Sequence, residues 1–232
     1  MKPYYEHAGI TIYHGDCREI LPSLEPMDLL LTDPPYGIGV ARRTFGAGRI
    51  NGKSGLKNAN GDHYQPKEYK KSDWDDEPAD GELIRLVRSL CKDQVIWGGN
   101  YFELPPSMRW LVWDKCNDSN DFSDCELAWT NQDKAVRMFR YRWNGMLQEY
   151  GGRHKEERLH PAMKPLPLMK WCLSFFPDVR TVLDPFCGSG TTLRAAKDIS
   201  INAIGIEREE HYAEIAAKRL SQEVLDFSGG AL

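Results

Sequence analysis

Apolar residues in this chain fall into short runs that stop abruptly at polar or glycine positions, and the period of the runs alternates. Residues 9–14 alternate apolar and polar as a strand does, and 17–24 carry a helical apolar face of Ile20, Leu21 and Leu24, with Asp16 placed as an N-cap. Residues 27–31 form a continuous apolar run suited to a central parallel strand. This opening is a strand–helix–strand unit with parallel strands, so Asp16 and Asp33 lie at the same carboxyl-terminal sheet edge, where open α/β folds bind ligands. Further helices are predicted over 78–91, 165–176, 191–199 and 209–224, and strands over 94–97, 110–113, 179–183 and 202–206. Residues 126–130 and 135–141 fit two antiparallel strands joined near Asn131. The pattern predicts an α/β fold with a mostly parallel sheet and an antiparallel edge hairpin, as a single domain over 1–232. Between the elements, 38–77 is a long glycine-containing loop without apolar period, expected to move over the site, and 142–160 is short, polar and basic.

Composition changes this picture little. The 232 residues are 41% hydrophobic and 28% charged, ordinary for a globular chain. No run of eighteen apolar residues and no apolar signal core are present, so no membrane partner and a cytoplasmic location are expected. The six cysteines form no CxxC pair and no Cys/His ligand spacing, so reduced thiols and no metal are expected. Charge distribution matters more than the net −4. Residues 40–71 hold Arg42, Arg43, Arg49, Lys53, Lys57, Lys67, Lys70 and Lys71 against Asp62 and Glu68. Residues 134–158 hold Lys134, Arg137, Arg140, Arg142, Arg153, Lys155 and Arg158 against three glutamates. Each run alone reads as a solvated loop. Two of them, both bearing aromatics, read better as a phosphate-binding rim for nucleic acid.

Two stretches carry the chemistry. After the 27–31 run come Thr32-Asp33-Pro34-Pro35-Tyr36-Gly37. Two prolines cannot continue a sheet ladder, and they hold the backbone extended with free carbonyls beside a carboxylate and an aromatic face. Acceptors and a stacking platform together suit a flat heterocycle bearing an exocyclic amine. The second stretch is Asp184-Pro185-Phe186-Cys187-Gly188-Ser189-Gly190-Thr191-Thr192, a strand, a glycine-rich turn and a helix. A P-loop needs Lys where Thr191 stands, and a dinucleotide fingerprint needs a glycine where Leu193 stands. Glu207, ending the next strand, is placed to hold ribose hydroxyls. A ligand with a ribose but no pyrophosphate, such as S-adenosyl-L-methionine, fits this set.

Asp-Pro-Pro-Tyr ahead of Asp-Pro-Phe-x-Gly-x-Gly resembles the β-order amino-DNA methyltransferases, a circular permutation in which the catalytic half precedes the cofactor half. The resemblance covers nearly the whole chain and implies a Rossmann-like S-adenosylmethionine-dependent methyltransferase fold. It assigns Asp33, Pro34, Pro35 and Tyr36 to catalysis. It also assigns Asp16 to the cofactor's adenine amine, Lys164 of His160-Pro161-Ala162-Met163-Lys164-Pro165 to the cofactor carboxylate, and Glu207 to its ribose. Asp184, Phe186, Gly188, Ser189, Gly190 and Thr191 complete the implied cofactor set. Arg42, Arg43, Arg49, Lys53, Arg140, Arg142, Arg153 and Lys155 form the expected DNA-binding set, and 142–160 the expected target-recognition segment. Asn100 and Trp113-Asp114-Lys115 are candidates to line the base pocket. The implied reaction is methylation of the N6 amine of adenine in DNA by direct in-line attack on a flipped-out base. Cytosine-N4 methylation stays open, although cytosine enzymes of this order resemble Ser-Pro-Pro-Tyr. An inactive, DNA-gripping subunit is the alternative of a different class, disfavoured by the intact Asp33, Tyr36, Gly188, Gly190 and Glu207. The resemblance leaves room for a homodimer.

Overall fold

In chain order, the computed structural model places strands β1 (Tyr5–His7) and β2 (Ile10–His14), helix α1 (Cys17–Ile20), strand β3 (Met27–Thr32), helix α2 (Gly81–Ser89), and strands β4 (Cys91–Trp97), β5 (Trp110–Asp114), β6 (Cys125–Thr130) and β7 (Arg137–Arg140). Helix α3 (Leu166–Leu173), strand β8 (Thr181–Asp184), helix α4 (Thr191–Lys197), strand β9 (Asn202–Glu207) and helix α5 (Glu210–Ser221) follow. The structure describes residues 1–39, 49–50, 53–54, 73–117, 123–144, 147–148 and 156–222. Most of the expected 38–77 loop and about half of the 142–160 segment therefore lie outside the described residues.

The strands form one nine-stranded sheet in the order β1-β2-β9-β8-β3-β4-β6-β5-β7. All but β1 and β6 run in the same direction. Leu29, Leu30 and Leu31 of β3 are all fully buried, which requires cover on both faces of the sheet. Leu29 and Leu31 join the core formed with α3, α4 and α5, and Leu30 joins the core formed with α1 and α2. Asp80 caps α2 by accepting from the Leu83 amide at 2.8 Å, so that helix starts later than the apolar pattern alone predicts. No helix among the described residues is long and apolar enough to cross a membrane.

One pairing differs from expectation. The strands expected at 126–130 and 135–141 do not pair with each other. Strand β6 lies between β4 and β5, antiparallel to both, so neither of its edges is open to β7. Strand β7 begins where β6 ends, passes β5, and pairs in parallel with the outer edge of β5. The reversal of β6 has a consequence for the site. Its first residues, Cys125 and Glu126, lie at the edge where β3 and β4 end.

Candidate active site

Asp33 leaves the end of β3 with only 15% of its side chain exposed. Its Oδ1 accepts the Tyr36 hydroxyl, and its Oδ2 accepts the Lys164 ammonium at 2.5 Å. Lys164, 5% exposed, also stands 3.0 Å from Oε2 of Glu126, whose Oε1 is paired with Lys115. The Pro-Pro turn is braced from the segment ahead of α2. Asp75 Oδ1 accepts the amides of Tyr36 and Gly37 at 2.9 and 3.0 Å, and the Pro35 carbonyl accepts the Ala79 amide at 3.1 Å. The Tyr36 ring stacks on Tyr101, with centroids 4.7 Å apart and planes 12° apart. Gly98, at φ +65°, lies against that ring, and a Cβ on it would fall 2.0 Å from a ring carbon.

Charge in this cluster alternates. Burial pushes the Asp33 carboxyl up, and the Lys164 ammonium opposes it. Burial works against the Lys164 charge, but Asp33 and Glu126 on either side hold its pKa above the ordinary lysine value. Burial would also raise Glu126, yet Lys164 and Lys115 bring it down to about 2. Burial raises the Tyr36 hydroxyl well above its ordinary value, with the neighbouring Asp33 charge adding to it, so it remains a donor.

The second half of the site is built at the ends of β8 and β9. Glu207 Oε2 accepts the Gly188 amide and Oε1 the Glu209 amide, each at 2.8 Å. Burial pushes its carboxyl up to about 7 against those two hydrogen bonds. Asp184 accepts the Thr32 hydroxyl at 2.7 Å and the Phe186 amide at 3.2 Å, and burial takes it up to about 6. From α5, Arg219 donates to the Ser189 carbonyl and the Thr191 hydroxyl, bracing the glycine turn from behind. His160 sits edge-on to Tyr212 at 4.3 Å and is held neutral, down to about 3, by burial and by the charges of Arg158 and Lys164. A single cleft of about 520 Å³ runs past both halves, lined by Asp16, Asp33, Pro35, Lys164, Phe186 and Glu207 among others. That volume suits a nucleoside-sized ligand, and the carboxylates of Asp16 and Glu207 supply acceptors for an amine and for vicinal hydroxyls.

The sequence profile of the DNA methylase family, which groups N6 and N4 enzymes, matches residues 96–218, more than half of the chain. The chain belongs to the DNA methylase family. It is 28% identical to the type II methyltransferase M2.LlaDCHI of Lactococcus lactis subsp. cremoris over 268 aligned positions, covering 95% of this chain and 93% of that one. It is 27% identical to M2.DpnII of Streptococcus pneumoniae, with 96% and 93% covered. Among solved structures, the M1.HpyAVI–SAM complex matches with a TM-score of 0.54 at 23% identity, covering 92% of this chain and all of that one. The cytosine-N4-specific PvuII DNA methyltransferase matches with a TM-score of 0.57 at 16% identity, covering 97% and 91%. Both share the α/β fold of this DNA methylase.

Of the expected cofactor residues of this DNA methylase, Asp16, Lys164, Asp184, Phe186, Gly188, Ser189, Thr191 and Glu207 line the cleft. Three have other partners than expected. Lys164, expected at the cofactor carboxylate, is bonded to Asp33 while also lining the cleft. Asp184 braces Thr32 and the start of the turn. Gly190 is the left-handed cap of α4, packed against Ala216 and Leu220, and is not part of the lining. Asp33 and Pro35 line the cleft, whereas Pro34 is buried and Tyr36 faces Tyr101. Trp113 is a core residue donating to the Tyr141 carbonyl, and Asn100 is exposed on the turn after β4. Arg140 is exposed and paired with Asp114 at 3.1 Å, and Arg142 is exposed beside it. Arg49 and Lys53 are described only as backbone, in a short two-stranded pairing, and Arg42, Arg43, Arg153 and Lys155 lie outside the described residues. Sequence reasoning missed Glu126, Asp75, Tyr101 and Arg219. None belongs to a motif, and for Glu126 the signal would have been the direction of β6.

Proposed function

We propose that this DNA methylase transfers the methyl group of S-adenosyl-L-methionine to the N6 amine of adenine in DNA. The observation that carries the reading is the placement of Asp33, behind a Pro-Pro turn, on the same cleft as Asp16, Phe186 and Glu207. S-adenosyl-L-methionine supplies an electrophilic methyl on a sulfonium. The chain's own residues supply the rest. Asp16 accepts from the cofactor's adenine amine, Glu207 from its ribose hydroxyls, and Phe186 packs on its apolar surface. An aromatic amine is a poor nucleophile because its lone pair is delocalised into the ring. Asp33 and the Pro34 carbonyl each accept one amine N–H, which localises the lone pair on nitrogen. Tyr36 releases Asp33 Oδ1 as the base enters, and its ring, stacked on Tyr101 in the free protein, turns to the extruded base. The proton lost after transfer passes from the amine to Asp33 and then to solvent. The relatives named as type II methyltransferases support the class, and the M1.HpyAVI complex supports the cofactor. Arg140 and Arg142, with the basic residues of 38–77 and of the 142–160 recognition segment, grip the DNA backbone.

The test is transfer from labelled S-adenosyl-L-methionine to duplex DNA, single-stranded DNA and RNA, followed by nucleoside mass spectrometry. N6-methyladenine in DNA is the expected product, and N4-methylcytosine would overturn the assignment of the base. Asp33→Ala is expected to lower transfer by about 100- to 1000-fold, the range for losing a main transition-state acceptor. Its cofactor affinity, read by calorimetry, is expected to stay within about threefold, because in this reading Asp33 serves the base amine rather than the cofactor.

A further inference from the structure

Glu126 has no part in the reaction as set out above, yet it stands half-buried at the catalytic edge, between two lysines. Three elements meet there. β3 delivers Asp33, the reversed β6 delivers Glu126, and the segment before α3 delivers Lys164. Lys164 Nζ lies 2.5 Å from Asp33 Oδ2 and 3.0 Å from Glu126 Oε2, so one ammonium spans both carboxylates. Lys115, from the end of β5, closes the other side of Glu126. The other ionisable groups coupled to Asp33 and its partner are the Tyr36 hydroxyl, bonded to Asp33, with Tyr101 stacked on Tyr36, the Asp184 carboxylate on the neighbouring strand, and the neutral His160 imidazole, which feels the Lys164 charge.

We propose that Glu126 and Lys164 are positioning residues for methyl transfer: Glu126 anchors the Lys164 ammonium, and the anchored ammonium fixes the Asp33 carboxylate in the orientation that receives the base amine. This rests on the adenine-methylation reading above and deepens it. It also moves Lys164 from the cofactor's carboxylate to the catalytic one. The physical reason lies in the burial of Asp33. A carboxylate removed from water takes up a proton unless a cation stands beside it, and a protonated Asp33 has lost one acceptor for the amine. A lysine on a long flexible stem holds one position only when something else fixes its head, and Glu126 does so from the side away from Asp33. Lys115 in turn keeps Glu126 charged. The resulting chain of alternating charges crosses from β5 through β6 to β3.

The experiment uses the full chain and four proteins: wild type, Lys164→Met, Lys164→Arg and Glu126→Gln. Three quantities are read for each, namely cofactor Kd by calorimetry, kcat across pH 5.5 to 9, and the titration of Asp33 by carbon NMR of selectively labelled aspartate. In Lys164→Met the Asp33 carboxyl rises. The acid limb of the kcat profile then moves to higher pH, kcat at neutral pH falls about 30-fold or more, and cofactor Kd changes less than threefold. Lys164→Arg recovers part of kcat, because a cation is restored. Glu126→Gln keeps an acceptor but not its charge, and lowers kcat less than Lys164→Met does. If Lys164→Met is too unstable to purify, the arginine and glutamine variants carry the same comparison. A cofactor Kd weakened tenfold or more, with the acid limb of kcat unmoved, would overturn the proposal and return Lys164 to the cofactor. The NMR titration needs no turnover. Should wild type methylate no nucleic acid, a raised Asp33 titration in Lys164→Met would still support the pairing, and an unmoved one would refute it.

Discussion

Glu207 illustrates what a single side chain decides. Its carboxylate is held by two backbone amides, but burial outweighs them and takes it up to about 7. It is therefore largely ionised at pH 8 and largely protonated at pH 6. The sign follows for the free protein. A carboxyl raised in the fold contributes stability below its ordinary value, and that contribution is lost as pH rises through about 7. For ligand binding the direction reverses, because hydroxyl donors bind more strongly to a carboxylate than to a carboxylic acid. The difference between charged and neutral acceptors is about 1 kcal/mol, roughly fivefold in affinity. Cofactor Kd, measured by calorimetry, is expected to rise about fivefold from pH 8 to pH 6. Glu207→Gln is expected to bind weakly and to show no such slope, and an unchanged slope in that variant would remove Glu207 from the ribose role.

At the scale of elements, the catalytic turn depends on pieces that do not belong to its motif. The end of β4 brings Gly98 in a left-handed conformation against the Tyr36 ring, and the same turn carries Tyr101 onto that ring. Gly98→Ala would place a methyl group inside the ring's contact distance and would also strain the backbone by about 1–2 kcal/mol. The variant is expected to melt a few degrees lower and to lose transfer about tenfold or more through displacement of Tyr36, with cofactor affinity nearly unchanged. Single-turnover transfer alongside calorimetry separates the two readouts. The element types and their order were legible in the sequence, because each is marked by an apolar run of the right period and a punctuating Asp, Gly or Pro. Helix α2 starts where Asp80 caps it, which apolar spacing alone did not mark. The pairing of β6 and β7 was not legible. Nearness in sequence favours a hairpin, but the choice was made by β5, which takes the available edge of β6.

At the scale of the whole molecule, the two halves of the site come from opposite ends of the chain. The central pairing of β8 with β3 joins them. A ligand that bridges these halves stabilises the folded state by about 2.7 kcal/mol at a hundred times its Kd, by mass action. For a chain of this size that corresponds to a melting temperature raised by about 5–10 °C. S-adenosyl-L-methionine is expected to produce such a shift in a thermal scan, and Glu207→Ala to abolish most of it. A wild-type protein whose melting temperature ignores saturating cofactor would contradict the assignment of the cleft.

The sequence by itself determined the α/β alternation, the two motif-bearing turns and the placement of Asp16 and Asp33 at one sheet edge. These follow from local periodicity, from the prolines and glycines that end strands, and from the parallel direction that a strand–helix–strand unit imposes. Asp33 and Glu207 were legible for the same reason, since each ends a strand whose direction was readable. Only the tertiary structure decided that Lys164 meets Asp33, that Glu126 stands behind Lys164, and that Asp75 and Gly98 shape the Tyr36 turn. Those contacts join residues far apart in the chain, and they depend on the direction of β6 and on what a buried carboxylate needs beside it. Neither quantity is carried by any local pattern of residues.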